Sequence, residues 1–266
     1  MRKNKYSFLY IFLTAQVTLV FSQRLSTTET WTGKWFPSEP STRAPPVKTM
    51  ETSRVPMGEK NASCDDGKTN ITMDWDGYFG DFICSSPRTR IIPDKAVDSV
   101  IEFENIPKAY MAPHFCMDTE ITYDHQLPTF GPHRPLWPVF GEYKFLPKQR
   151  WLHTLEHGGI VALYHPCADL REISLLKKLV KSCLRRYVIS PSRELSKERP
   201  LALLAWGARY TMSVVYPNAV RKFIRERALR GPEKLPDEGQ YTMFLKEQSI
   251  VVSDFEDSKL CPDDKM

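Results

Sequence analysis

Five of the six histidines in this chain, His125, His133, His153, His157 and His165, fall between Tyr123 and Cys167. Two of them bracket a carboxylate in the run His153-Thr-Leu-Glu156-His157. Imidazole is the commonest protein ligand for zinc and copper, and it is neutral and available at extracellular pH. The candidate metal set is therefore His133, His153 and His157, with His125, and with Glu156 as a ligand or as a group that orients one. Zinc or copper is the cofactor such a set implies. The competing reading is structural: imidazoles also lock loops by hydrogen bonding to buried backbone groups.

His153-Thr-Leu-Glu156-His157 also has the literal HxxEH form of one class of zinc peptidase, in which a helix puts both histidines on one face and the glutamate acts as base. Gly158-Gly159 follow at once and lead into an apolar run, which leaves room for barely one helical turn and argues against that reading. His114-Phe-Cys116-Met117 groups three residues that copper accepts, although Cys116 in an oxidising compartment is better read as half of a disulfide. No nucleophile-elbow motif marks a covalent mechanism.

The residues around these histidines are suited to holding them still. Pro128, Pro132, Pro135, Pro138 and Pro147 fix turns, and Trp137 and Trp151 supply bulk. Gly159 to Tyr164 (GIVALY) is a nearly continuous apolar run, as a buried strand requires. Asp169-Leu-Arg-Glu172 has the form of a capping box, and Leu170, Ile173, Leu176, Leu179, Val180, Cys183 and Leu184 recur at helical spacing after it. Leu201 to Trp206 (LALLAW) reads as a second buried strand, parallel to the first through a right-handed crossover. A second helix starts near Pro217, buries Val220, Phe223 and Ile224, and ends before Gly231-Pro232. Ahead of these only Ser99 to Phe103 looks like a strand. The expected fold is α/β or α+β: a small mixed sheet with a βαβα C-terminal half and a loop-rich, proline-rich N-terminal half.

The ends set the compartment. Arg2, Lys3 and Lys5 precede an apolar run from Tyr6 to Phe21, and Val20 with Ser22 offers a cleavage site before Gln23, so residues 1–22 read as a signal peptide. The alternative is an uncleaved signal-anchor. Thr14, Gln16 and Thr18 interrupt the run, and a span needs about 20 apolar residues. Residues 23–60 are rich in Ser, Thr and Pro and read as a disordered stalk, 61–255 as one globular domain and 256–266 as a polar tail. No second apolar segment follows, so no C-terminal membrane span is expected.

Losing Arg2, Lys3 and Lys5 and no acid lowers the formal charge from +5 to +2. That balance removes the basis for nucleic-acid binding. Lys177, Lys178, Lys181, Arg185 and Arg186, then Arg221, Lys222, Arg225, Arg227 and Arg230, lie on the two helices. They read either as a basic surface for glycosaminoglycan or an acidic lipid face, with a protein partner also open, or as a solvated face. Asn61-Ala-Ser63 and Asn70-Ile-Thr72 are glycosylation acceptors. Cys64, Cys84, Cys116, Cys167, Cys183 and Cys261 are even in number with no CxxC pair, so disulfides are expected. Cys64 with Cys84 is the favoured pair, a short closed loop contributing about 3 kcal/mol.

Several separated motifs stand in order along the chain: YDHQLPTFGPHRPLW from Tyr123, GEY at Gly141 to Tyr143, RWLHTLEHGG from Arg150, ALYHPC from Ala162 and LALLAWG from Leu201. Together they resemble the p53-inducible protein 13 family and a related bacterial domain of unknown function with a His-x-Leu-Glu-His-Gly motif. The resemblance runs from about Cys64 to Pro236. It implies a link to restraint of growth and carries no established chemistry. A bacterial relative implies an older biochemical role centred on the histidine motif. From residues and resemblance together, the expectation is a secreted or luminal protein that acts by binding a partner or metal; the alternative is a metal-dependent enzyme built on the histidine cluster.

Overall fold

The computed structural model describes residues 55–262, so the expected signal peptide, Gln23 and most of the expected stalk lie outside the described residues. In chain order the elements are β1 (Val100–Phe103), β2 (Gly141–Tyr143), α1 (Lys148–Glu156), β3 (Ile160–Tyr164), α2 (Leu170–Lys181), β4 (Tyr187–Pro191), β5 (Leu201–Ala205), β6 (Ala208–Met212), α3 (Pro217–Arg227) and β7 (Leu245–Gln248). The strands make one mixed sheet in the order β1-β6-β5-β3-β4-β2-β7. Among the described residues before β2 the chain is mostly loop with three short 3-10 turns, as the proline content requires.

Alternation along β3 explains its unbroken apolar run. Ile160 and Ala162 face α2 and α3, packing with Leu176, Val180, Val220 and Phe223. Val161 and Leu163 face the other way, onto Leu152 and Leu155 of α1 and onto Tyr143 and Tyr241. Both faces of the central sheet are thus covered, and a two-sided strand must be apolar at every position. Each Leu or Ile so buried contributes about 1.5–3 kcal/mol.

Asp169 caps α2, its Oδ1 accepting from the N–H groups of Arg171 and Glu172 at 2.8 and 3.2 Å. Glu172 does not close the box. It accepts instead from the Val215 N–H at 2.6 Å and so ties α2 to the approach of α3. Pro217 opens α3, where a missing N–H costs nothing.

Four expectations are corrected. The parallel partner of β3 is β4, reached through α2, whereas β5 pairs with β3 antiparallel. Cys64 bonds Cys116, not Cys84, because Met117 N–H donates to the Cys64 carbonyl and lays that loop alongside; Cys84 bonds Cys167, and Cys183 bonds Cys261. Residues 256–262 of the expected tail pack into the domain: Asp257 is fully buried, accepting from the N–H groups of Arg185 and Arg186, and Cys261 is anchored to α2's end. At the other boundary, Gly58 N–H already donates to the Pro135 carbonyl, so the domain begins before 61.

At least five of the ten expected cations are engaged within the domain. Lys177 and Lys181 converge with Lys246 on the buried Glu142, Arg185 and Arg186 are buried against the chain around Phe255 to Asp257, and Arg227 lies over the Phe103 ring. Among the described residues no helix is long and apolar enough to cross a membrane.

Candidate metal centre

His153 and Glu156 stand three residues apart at the end of α1 and therefore project from one face. The helix stops there because Gly158 takes φ +80° and Gly159 follows. Gly159 N–H donates to the Thr154 carbonyl and Gly158 N–H to the Leu155 carbonyl, the reciprocal pair of a Schellman termination. α1 spans nine residues, so the histidine motif ends a real helix instead of forming a lone turn.

Two loops bring the remaining ligands. His114 and His133 form a parallel bridge, with Phe115 N–H donating to the His133 carbonyl and His133 N–H to the Pro113 carbonyl, both at 3.0 Å. Arg134 fastens this arrangement from beneath. Its guanidinium pairs with the buried Asp74 and donates to the carbonyls of Phe115 and Thr119, and its own carbonyl meets His153. The Cys64–Cys116 disulfide holds the His114 loop two residues further on.

The three rings of His114, His133 and His153 pack with centroids 4.4 to 4.9 Å apart. Nε2 of His133 lies 2.9 Å, of His114 3.2 Å and of His153 4.0 Å from Oε2 of Glu156. All four ligand atoms fall within 4.8 Å of one another. In a tetrahedral zinc site with 2.0–2.1 Å bonds, neighbouring ligand atoms sit about 3.3 Å apart, so the set has the dimensions of a coordination shell.

The far side of two rings fixes what the near side offers. His133 Nδ1 is 2.9 Å from the Gly131 carbonyl and His153 Nδ1 is 2.7 Å from the Arg134 carbonyl. A carbonyl only accepts, so both Nδ1 atoms carry the proton, and in the neutral rings both Nε2 atoms present lone pairs to the centre. Burial, reinforced by His133 and His157, holds His153 well below the usual imidazole range, so it is neutral at physiological pH. Its buried Nε2 has no hydrogen-bond partner among the described residues. Burial raises Glu156, and it is held down to about 2 only where protonated His114 and His133 donate to it, so an ionised Glu156 beside neutral rings requires a cation in the place of those protons. Lone pairs converging on a carboxylate need a proton or a metal cation between them.

Of the residues expected from sequence, His133, His153 and Glu156 meet. His157 does not join them: it caps α1, and its Nε2 lies 3.2 Å from Glu233 Oε2. The His153 and His157 rings pack with centroids 4.7 Å apart, but His157 directs Nε2 to Glu233 and belongs with Glu156 and Glu233, so the two histidines do not share one ligand group as the zinc-peptidase motif requires. Burial holds His157 down to about 4. His125 is remote from the cluster, accepting at Nδ1 from the Leu127 N–H. His114 and Glu233 are the additions. His114 had been grouped with Cys116 and Met117, but Cys116 is disulfide-bonded and the Met117 sulfur accepts from Arg150. Asn70 is exposed and Asn61 half-buried, its Oδ1 accepting from Ser63 N–H at 2.9 Å.

Residues 114–239, a little under half of the chain, match the family described as "Protein of unknown function (DUF3105)". That span begins at the first ligand of the cluster and includes Glu233. The chain is also similar to tumor protein p53-inducible protein 13 of Rattus norvegicus, 29% identical over 94 residues, which is 35% of this chain and 24% of the relative. It thus spans about a quarter of the length of the curated relative it matches. No solved structure matches the chain.

Proposed function

We propose that this chain is a secreted or luminal metal-binding protein whose domain carries one zinc or copper ion on His114, His133, His153 and Glu156. The observation that carries the reading is the buried Nε2 of His153, unpartnered among the described residues and aimed at an ionised Glu156 by a proton fixed on its other nitrogen. A structural histidine would use both nitrogens on fixed partners. Four protein ligands complete a tetrahedral shell, the form of a structural or storage site, whereas a catalytic zinc keeps one position open. A binding role is therefore favoured over an enzyme at this centre. The three disulfides, and sequons at the exposed Asn70 and half-buried Asn61, support the secretory setting and glycosylation there.

Thermal unfolding of the purified full chain before and after chelation tests the proposal. Removing the metal lowers Tm, returning zinc or copper restores it, and His153→Gln abolishes the response while the apo protein still folds. A Tm indifferent to chelation and to added metal contradicts it.

A further inference from the structure

Glu233 and His157 adjoin the centre and share Glu156 with it. One oxygen of Glu156, one ring nitrogen of His157 and one oxygen of Glu233 all lie within 4.8 Å of one another. The close approach is built in. Leu229 N–H donates to the Gly158 carbonyl at 2.7 Å and Glu233 N–H to the Glu156 carbonyl at 3.2 Å. Between them a Cβ on Gly231 would stand 2.0 Å from the Glu156 carbonyl oxygen, so only glycine lets this segment pass so near the end of α1.

Among the described residues the Glu156 side chain meets His114 and His133 through Oε2, which leaves its second oxygen for another partner. Two carboxylate oxygens and one ring nitrogen converge there, with Nε2 of His157 3.2 Å from Oε2 of Glu233. A cation at that point joins ligands that a single proton now links.

We propose that a second divalent cation binds between Glu156, His157 and Glu233, with Glu156 bridging it to the ion of the first centre; the inference rests on the metal-binding reading above. The two positions are unequal. The first offers four protein ligands, three of them almost fully buried, whereas the second offers three, and Glu233 has 43% of its side chain exposed. His157 also lacks the backbone carbonyl that fixes the far nitrogen of His133 and His153, as its Nδ1 has no partner among the described residues. The second ion is therefore the weaker and exchangeable one, reached from solvent past Glu233, with open positions for water or another small ligand.

Equilibrium dialysis of the metal-free full chain against zinc chloride tests this. His125 and His165 are first replaced by Asn, whose carboxamide oxygen can keep their local N–H contacts, so that surface imidazoles are not counted. The expected result is two zinc ions per chain in two steps. Glu233→Gln, at a half-exposed position where folding is not at risk, then weakens the second step at least tenfold and leaves the first unchanged. Saturation at one ion, or two steps unaltered by Glu233→Gln, overturns the second site while the first centre stands. No bound zinc, and no bound copper when copper chloride replaces it in the same dialysis, overturns both.

Discussion

His133 Nε2 and Glu156 Oε2 lie 2.9 Å apart, although the other nitrogen of the same imidazole already donates its proton to the Gly131 carbonyl. A neutral ring held in this way has no second proton to give, so the contact calls for an imidazolium or for a shared cation.

Arg134 is the foundation of the cluster. With no exposed side-chain surface it holds Asp74 and the carbonyls of the His114 loop, so Arg134→Met leaves a buried carboxylate and several acceptors without donors. Breaking such a pair costs about 3–5 kcal/mol. Urea denaturation of the metal-free protein should show that loss, and metal affinity should fall with it because His114 and His153 both depend on this residue.

The disulfides should separate by role. Replacing Cys64 and Cys116 with Ser frees the loop that carries His114, so metal affinity and stability fall together. The same change at Cys183 and Cys261 costs about 2–5 kcal/mol of stability without altering affinity per folded molecule, since that bridge lies on the far face of the sheet. Metal titration of each variant, with denaturation curves alongside, makes the comparison.

β3 and α2 were legible because each follows one rule: an unbroken apolar run buried on both faces, and an aspartate cap followed by a helical stripe from Ile173 on, although Leu170, expected in that stripe, is exposed. α1 was not. Gln149, Arg150, His153, Thr154 and Glu156 are all buried, so no polar face reveals its period; Arg150 instead pairs with Asp65 and stacks on Tyr241. β4 escaped because Ser190 and Pro191 interrupt its apolar run, and losing β4 made β5 look like the parallel partner of β3. His133, His153 and Glu156 could be grouped from spacing. His114 could not, since its bridge to His133 is a long-range pairing that leaves no local pattern.

Glu142 should make the fold acid-sensitive. Burial would raise its carboxyl, but Lys246, Lys181 and Lys177 together hold it down to about 2, below the ordinary 4.5. The charged form is the one the fold favours, so its contribution is complete above about pH 4.5 and is lost as pH falls toward 2. The lysines are partly exposed, which limits the contribution to about 1–2 kcal/mol. Glu142→Gln should lower stability by that amount at pH 7 and flatten the dependence below pH 4.5, as read by denaturation at a series of pH values.

Gly158 ends α1 at φ +80°, and a Cβ there would lie 2.8 Å from the Leu229 Cα. Gly158→Ala should therefore cost about 2 kcal/mol from left-handed strain and backbone displacement. Because the displaced segment carries Glu233, the weaker zinc step should be lost before the stronger one. Denaturation and zinc titration of the variant check both parts.

X-ray absorption at the metal edge, on full-length protein purified from a secretory host, bears most directly on the centre. A stoichiometric zinc or copper ion is predicted, surrounded by three imidazole nitrogens and a carboxylate oxygen at about 2 Å, with the imidazole signal reduced in His133→Gln. Protein that carries no metal under these conditions and takes up none when zinc or copper is supplied, or a bound ion whose shell contains no histidine, would contradict the account.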